Sequence, residues 1–211
     1  MLEDNPDDVL AGGANLRKHI EIVREFGVSP VVALNVFPTD YPDEIDAVRK
    51  VAEAAGAHFA SSTHVVDGGD GAVDLARAVV AACEQKTAFR YTYDLEDSLV
   101  EKLTKVATKV YGADGIDIAP AAAKELAHFE DLGYGTFPVV IAKTHLSLSH
   151  DPSLKGAPTG WRLPVREVRA AVGAGYIYAI CGDMRTMPGL GRHPAAERID
   201  IDDSGETIGL F

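Results

Sequence analysis

Hydrophobic and polar positions in the first part of the chain recur first with a helical period and then as a short continuous run. The spacing of Leu16, Ile20 and Val23 predicts a helix over Asn15–Phe26. The run Val31–Val36 is apolar and rich in β-branched residues, which predicts a strand buried on both faces, as in parallel sheets. An opening helix of this kind also implies a strand before it, and the residues in front of it form only a short acidic stretch.

The same alternation continues to about residue 86. A helix is predicted to begin near Pro42 and to end at Gly56, a strand is predicted over Ala57–Val66, and a further helix carries Val73, Ala76 and Val80 on one face. Helices and strands that alternate at this spacing form βα units. We therefore expect an α/β protein whose residues 1–110 form part of a doubly wound parallel sheet.

The pattern changes after Lys86. A smaller mixed α/β domain is expected over residues 111–211. A helix predicted over Glu96–Tyr111 leads into this domain, and a second helix runs from Pro120 to Gly133. Strands are predicted over Phe137–Ala142 and Val172–Cys181, with a long polar segment over Lys143–Pro164 between them. The chain ends in a predicted strand or hairpin over Ile199–Phe211 around Ser204 and Gly205.

Composition narrows the function classes. The net charge of −12 argues against a nucleic-acid-binding surface, which needs clustered Lys and Arg. No apolar run approaches the roughly 18 residues that span a bilayer. Cys83 and Cys181 lie far apart in the sequence, so we expect no disulfide framework and a cytoplasmic location. The histidines are not spaced as in metal-binding motifs such as H-x-x-H, so we expect no metal site.

The turn that follows the first predicted strand is the strongest candidate site. Ligands of open α/β sheets bind beyond the carboxyl ends of the strands. There Phe37 could stack on a planar ligand, while Asn35 and Asp40 could hydrogen-bond to it. The structural alternatives are that Phe37 is a core residue, that Asp40 caps a helix and that Pro38 only forms the turn.

Two other polar segments are weaker candidates. Asp67–Gly71 precedes a helix and could present backbone amides to an anion. However, it matches neither the G-x-x-x-x-G-K-[ST] nor the G-x-G-x-x-G phosphate-binding pattern, and its two Asp carboxylates would repel an anion. A helix-capping turn is therefore the favoured interpretation. The alternating residues Lys143–His150 suggest an edge strand in which Lys143 and His145 could do acid–base work, and a structural loop is favoured.

Arginines recur in the last third of the chain. Arg side chains suit carboxylate recognition, although solvated or interface positions are the ordinary interpretation. These residues are Arg166, Arg169, Arg185 and Arg192.

Several stretches, in order along essentially the whole chain, resemble the formate–tetrahydrofolate ligase family. They are Gly13–Ile20, Asn35–Asp40, Val110–Asp114, Ala142–Ser149, Gly173–Tyr176, Met187–Leu190 and Gly209–Phe211. This resemblance is more specific than any single motif, and it corresponds to the C-terminal portion of the family's chain.

The resemblance implies a reaction of one-carbon metabolism. ATP phosphorylates formate to formyl phosphate, and an amine of tetrahydrofolate attacks the formyl carbon to give 10-formyltetrahydrofolate, ADP and phosphate, with Mg²⁺ on the phosphates. The family's Gly-rich phosphate loop, which makes it P-loop NTPase-like, belongs to its N-terminal half, so we expect these 211 residues to be inactive alone. Expected partners are a missing N-terminal half or further copies, because the family is tetrameric. The alternative is a non-catalytic folate-binding or interaction module that complements a separate N-terminal half.

The resemblance also assigns the folate site and leaves the catalytic residues unassigned. The family's pterin-stacking aromatic residue matches Phe37, with Pro38 beside it. A Trp that covers the opposite pterin face in the family is matched here by Val65. Loss of that ring would weaken the sandwich by about 1 kcal/mol.

Overall fold

The structure, a computed structural model, describes residues 4–184 and 193–209. The protein is an α/β protein with parallel and mixed sheets. Its helices are α1 (Pro6–Glu25), α2 (Pro42–Ala54), α3 (His64–Asp67), α4 (Val73–Cys83), α5 (Leu99–Lys105) and α6 (Pro120–Asp131), with shorter helical stretches over Gly68–Ala72, Val106–Val110 and Ala195–Glu197. Its strands are β1 (Val31–Asn35), β2 (His58–Ser62), β3 (Ile116–Ile118), β4 (Val139–Ala142), β5 (Leu163–Ala171), β6 (Tyr176–Cys181), β7 (Asp200–Ile201) and β8 (Thr207–Ile208).

Strands β1 and β2 form a parallel pair, as the alternating pattern predicts. Their register runs from Val31 opposite His58 to Asn35 opposite Ser62. Val32 and Phe59 are register partners, so they share one face of the sheet, where they pack with buried residues of α1 and α2. These helix residues are Ile20 and Ala52. Helices α1 and α2 therefore lie together on the same face.

Helix α1 begins nine residues earlier than the apolar spacing predicts. The Asn5 side chain caps it by accepting a hydrogen bond from the Asp8 amide at 3.2 Å, and Pro6 occupies the first turn. The glycines inside the helix weaken the helical signal in the sequence. One of them, Gly13, is buried, and a Cβ there would lie 2.9 Å from a methyl carbon of Val51, so close packing on α2 accounts for this glycine.

Strand β2 is shorter than the predicted segment Ala57–Val66. It ends at Ser62, because the Thr63 amide donates to the Gly71 carbonyl at 3.0 Å and the chain turns into α3. Val65 and Val66 fall within the predicted strand, but they lie on the surface of α3 rather than in the sheet.

The second sheet has four strands in the order β3-β5-β6-β4. The pairs β3–β5 and β4–β6 are parallel, while β5–β6 is antiparallel. A large buried cluster lies against this sheet and includes Leu99, Leu103 and Ala107 from the preceding helical segment. The predicted division of the chain at residue 110 stays a prediction.

The helix predicted over Glu96–Tyr111 begins at Leu99 and changes its period part-way along. Ser98 and Glu101 form a capping box at its start, and Gly112 follows its end with φ +74°. The last stretch, Val106–Val110, is π-helical. This wider turn buries Ala107, whereas a regular period predicts burial of Val106.

Strand β5 has no counterpart in the sequence prediction, which extends a polar segment to Pro164. Leu163, Val165 and Val168 are buried, but the register with β6 shifts between Val165 and Glu167. This irregularity breaks the two-residue period by which a strand is recognised. The predicted strand over Val172–Cys181 is also too long, since residues 172–175 form the turn before β6.

The remaining predicted elements are close to the observed ones. Helix α6 ends at Asp131, Gly133 follows with φ +83°, and β4 falls within Phe137–Ala142. The terminal hairpin is the antiparallel pair β7–β8, as far as residue 209, which is the last residue that the structure describes. Within residues 4–184 and 193–209, no helix is long and apolar enough to cross a membrane.

Candidate functional site

The turn after β1 is held by two reciprocal hydrogen bonds. The Asp40 amide donates to the Phe37 carbonyl at 3.0 Å, and the Phe37 amide donates to Oδ2 of Asp40 at 2.8 Å. Pro38 lies between them in the turn. The Val36 amide donates to the Ser62 carbonyl at 2.9 Å, which ties the start of this segment to β2. The backbone of Phe37 is therefore held from both sides.

The geometry decides between the structural alternatives for this turn. Phe37 is 47% exposed, so it is not a core residue. The N-cap residue of helix α2 is Tyr41, whose side chain makes no capping hydrogen bond, so Asp40 does not cap α2. Asp40 instead holds the Phe37 backbone, and Asn35 is exposed at the last residue of β1. A ligand-binding role for these residues stays a prediction.

The loop after β2 is also tightly built. The buried Ser62 hydroxyl lies 2.9 Å from Nδ1 of His64, and the Thr63 hydroxyl donates to the Asp67 carboxylate at 2.6 Å. A Cβ on Gly71 would lie 2.6 Å from the Thr63 hydroxyl oxygen, so this position needs glycine. The segment thereby presents Val65, which is 54% exposed, on the surface of α3.

Phe37 and Val65 follow neighbouring strands at the same end of the sheet. Strands β1 and β2 are parallel neighbours, and their last residues, Asn35 and Ser62, are register partners. The chain then continues by two residues to Phe37 and by three to Val65. The fold therefore brings an exposed aromatic ring and an exposed aliphatic side chain to one end of this sheet, where ligands of open α/β sheets bind.

The Asp67–Gly71 segment does not form a phosphate cradle at the start of a long helix. It runs from the end of α3 into the short helical stretch Gly68–Ala72, and Ala72 precedes α4 without a side-chain cap. The Asp67 carboxylate accepts a hydrogen bond from the Thr63 hydroxyl. This arrangement fits a structural turn better than an anion site.

Comparison with known proteins identifies the family. The model of the family described as formate–tetrahydrofolate ligase matches residues 1–211. The chain is 96% identical over 211 residues to a formate–tetrahydrofolate ligase of Cutibacterium acnes and 62% identical over 210 residues to one of Saccharopolyspora erythraea. All of this chain is covered in both matches.

The chain belongs to the formate–tetrahydrofolate ligase family. It spans 38% of the length of the Cutibacterium acnes ligase and 37% of the Saccharopolyspora erythraea ligase. The match confirms the resemblance read from the sequence motifs.

Lys143–His150 forms a structured loop after β4 rather than the predicted edge strand. Nζ of Lys143 donates to the Thr144 carbonyl at 3.0 Å and to the Ser147 carbonyl, and it lies 4.8 Å from the centre of the Tyr111 ring. Burial lowers the pKa of Lys143. These contacts support the structural interpretation of the loop.

The same loop lines a cleft of about 530 Å³ together with residues of α1. Asn15 and His19 reach this cleft from α1, and the Asn15 amide donates to the Gly156 carbonyl at 3.0 Å. His145 also lines it. The sequence contains no local signal for this grouping, because its members come from segments more than 120 residues apart.

The predicted arginines serve different contacts. Arg166 donates to the Met184 carbonyl at 2.9 Å, and Arg169 pairs with Glu167 at 2.5 Å. Arg185 and Arg192 lie outside the described residues. Arg166 lines a cleft of about 780 Å³ together with other polar residues, most of which the sequence patterns did not single out. They include Asp117, His150, Asp151 and Asp183.

The described part of the chain contains no cluster of side chains that is suited to bind a metal ion. No three His, Cys, Asp or Glu side chains there are grouped so that they could hold a metal ion.

Proposed function

We propose that the Phe37 turn binds the pterin ring of tetrahydrofolate as part of a formate–tetrahydrofolate ligase. The supporting observation is the exposed Phe37 ring, held by Asp40 beyond the carboxyl end of a parallel strand. An aromatic ring in that position stacks on a planar heterocycle. Pro38 limits the flexibility of the turn. Asn35, with its side chain exposed at the end of β1, supplies a hydrogen-bonding group to the pterin edge.

Val65 covers the second face of the pterin in this proposal. Its exposed position on α3 supports the role, since the residue leaves the same end of the sheet as Phe37. An aliphatic side chain buries apolar area but lacks the ring interaction. This binding wall is therefore weaker than a two-ring sandwich by about 1 kcal/mol.

The reaction of the whole ligase is the ATP-dependent formylation of tetrahydrofolate. Formate is phosphorylated to formyl phosphate, and the folate amine then attacks the formyl carbon with loss of phosphate. ATP, Mg²⁺ and the phosphate-binding loop are assigned to the part of the ligase that these 211 residues do not span. This sequence has no G-x-x-x-x-G-K-[ST] motif, which supports that assignment.

The wider organisation follows from the same assignment. The parallel pair β1–β2 is part of a larger doubly wound sheet of P-loop NTPase type, and a mixed α/β domain completes the chain. The active assembly contains the rest of the ligase and more than one copy. Both cysteines are free thiols, which supports a cytoplasmic location.

Folate binding is the direct test of the site. Calorimetric titration of the 211-residue chain with tetrahydrofolate should show binding, and Phe37→Ala should weaken it about fivefold or more. Phe89→Ala is the matched control, because Phe89 is also an exposed aromatic residue, and its neighbours Ala88 and Arg90 hydrogen-bond to Gly27 and Phe26, ahead of the start of β1. Equal affinity of the Phe37→Ala variant and the unchanged chain would refute the stacking role.

A coupled assay of ADP release tests the ligase assignment. The chain alone should release no ADP with formate, ATP and tetrahydrofolate. Co-expression with the part of the Cutibacterium acnes ligase that it does not match should restore release. Turnover by the 211 residues alone would contradict the assignment of the phosphate site. Folate binding without restored turnover would favour a non-catalytic folate-binding module.

A further inference from the structure

A cleft between α1 and the loop after β4 brings basic side chains together. This α1 cleft has a volume of about 530 Å³, and its basic residues are His19, Lys143, His145 and Lys155. The described residues that line it include neither Asp nor Glu. The whole chain, in contrast, carries 32 Asp and Glu against 20 Lys and Arg. The cleft is therefore a local concentration of positive charge on an acidic protein, and such a surface attracts anions.

Carboxylates of the neighbouring segments do not neutralise these groups. None of the four basic side chains takes part in an ion pair within the described part of the chain. Glu21, which follows His19 on α1, pairs with Lys18 at 3.6 Å. The Asp151 carboxylate accepts hydrogen bonds from the Ser153 amide at 2.8 Å and from the Ser153 hydroxyl at 2.7 Å. These carboxylates are thus paired or hydrogen-bonded with other residues.

Lys143 places a half-buried charge at this cleft that no carboxylate of the described residues balances. Its ammonium group donates to the carbonyls of Thr144 and Ser147 and lies 4.8 Å from the centre of the Tyr111 ring, and all of these groups are uncharged. Burial lowers the pKa of Lys143, as expected for an ammonium group that is removed from water. Charged groups are seldom buried unless they are paired. An anion in the α1 cleft would supply the partner.

The other three basic side chains can donate to a bound group. His19, His145 and Lys155 are exposed. Within the described residues neither histidine ring takes part in a hydrogen bond, and the Lys155 ammonium group makes one long contact of 3.4 Å with the Leu146 carbonyl. Even a neutral imidazole carries an N–H donor. Donors therefore reach the cleft both from α1 and from the loop.

The types of basic residue favour phosphate over carboxylate as the ligand. A planar carboxylate is matched best by the planar fork of Arg, and the described lining of the cleft contains no Arg. A phosphate group carries more charge and several strong acceptor oxygens, which suit point donors such as Lys that approach from different directions. The hydrogen bond of 3.0 Å from Asn15 to Gly156 joins the two walls, and the volume lies within the range of small-molecule sites.

We propose that the α1 cleft binds a phosphate group, either as inorganic phosphate or on a small phosphorylated molecule. His19, His145 and Lys155 donate hydrogen bonds to it, and Lys143 contributes its charge. The site shares no residue with the candidate folate site at the end of β1. It is also distinct from the ATP site, which the proposed function assigns outside these 211 residues. The inference thus goes beyond the proposed function and does not rest on it.

Calorimetric titration of the chain with inorganic phosphate, at constant ionic strength, is the direct test. We expect binding with a dissociation constant in the millimolar range or below. The double variant His145→Gln with Lys155→Gln should bind about tenfold more weakly, because it removes an ammonium charge and an imidazole donor while keeping side chains of similar size. Lys124→Gln with His128→Gln is the matched control, since it removes the same residue types from the exposed surface of α6, outside the cleft. This control should bind like the unchanged chain.

Pyridoxal phosphate locates the site on the unchanged chain. Its aldehyde condenses with a lysine amine to an imine with release of water, and borohydride then reduces the imine to a stable secondary amine. Peptide mass spectrometry should show labelling at Lys155 about fivefold faster than at Lys124, because the phosphate group guides the reagent into the α1 cleft. Inorganic phosphate should slow labelling at Lys155 alone. Equal labelling of both lysines without protection by phosphate would contradict the site.

Comparison of ligands decides which form of phosphate is bound. Tighter binding of a hexose phosphate than of inorganic phosphate identifies a phosphorylated molecule as the ligand, whereas equal or weaker binding identifies the free anion. Tighter binding of citrate than of either phosphate would overturn the choice of phosphate over carboxylate. Absence of phosphate binding, or equal affinity of the double variant and the unchanged chain, would overturn the site. Phe37→Ala should leave phosphate affinity unchanged, so failure of folate binding and failure of phosphate binding are separate results.

Discussion

The carboxylate of Asp40 accepts a hydrogen bond of 2.8 Å from the amide of Phe37 and thereby holds the exposed ring beyond the end of β1. If the ring stacks on folate, loss of this bond should weaken binding about three- to tenfold, because a hydrogen bond to a charged group contributes about 1 kcal/mol or more. Calorimetric titration of Asp40→Ala with tetrahydrofolate measures the effect.

Asp40→Asn is the matched variant for this experiment. Its amide oxygen can still accept from the Phe37 amide, so affinity should lie between those of Asp40→Ala and the unchanged chain. Equal weakening by both substitutions would point to the charge of Asp40 rather than to its hold on Phe37.

Val65 offers a gain-of-affinity prediction. Val65→Trp places a ring on the exposed surface of α3, where the family resemblance expects one, and should tighten tetrahydrofolate binding about fivefold. Val66→Trp is the control, since Val66 is its neighbour on α3 and is 63% exposed. If both variants bind with the same affinity as the unchanged chain, Val65 does not face the ligand.

The pair Asp97–Lys105 predicts a loss of stability in acid. Nζ of Lys105 lies 2.5 Å from the Asp97 carboxylate, and this hydrogen bond is the main reason that the pKa of Asp97 is lowered from its ordinary value of 3.8. A carboxyl whose pKa is lower in the folded state stabilises the fold above the unfolded pKa and loses that contribution as the pH falls through the folded pKa. The free energy of unfolding should therefore fall below roughly pH 4.

Urea unfolding at neutral pH and at successively lower pH checks this prediction. Asp97→Asn should be less stable than the unchanged chain at neutral pH, and the difference should shrink in acid. Asp74→Asn is the control, because Asp74 pairs with Arg77 with both side chains largely exposed. An acid dependence of Asp97→Asn identical to that of the unchanged chain would contradict the assignment.

The two cysteines should differ in reactivity. Burial raises the pKa of Cys181 to about 12, so almost no thiolate is present near pH 8, whereas Cys83 is exposed. A thiol-reactive disulfide reagent should modify one thiol per folded chain and two in denaturant. Cys83→Ala should lose the fast reaction, and two fast thiols in the folded chain would argue against burial of Cys181.

Parts of the fold could be predicted because their signals are local. The alternation of helices and strands around β1 and β2 follows from apolar periods that record which face of each element is buried. The turn containing Phe37 could be singled out because Pro38 and Asp40 follow directly on a strand. The sequence did not reveal the Asp40–Phe37 hydrogen bond, since the same residues fit a helix cap equally well.

Other features depended on packing between distant segments. The bulge in β5 hides its strand period, and its pairing with β6 defines it instead. Val65 lies within the strand predicted from the sequence, yet the chain turns after Ser62, where the Thr63 amide donates to the Gly71 carbonyl, and Val65 lies on the surface. Lys102 lies on a helix, where the sequence alone favours a solvent-exposed position for a charged residue. It is instead fully buried, and its ammonium group donates to the carbonyls of Gly135 and Phe137.

The sequence alone therefore determined the α/β class, the parallel pair of strands, the family resemblance and the position of the candidate turn, because each rests on the order and spacing of neighbouring residues. The tertiary structure decided which side chains of that turn are exposed and how Phe37 is held. These properties depend on hydrogen bonds and packing between segments that meet only when the chain has folded.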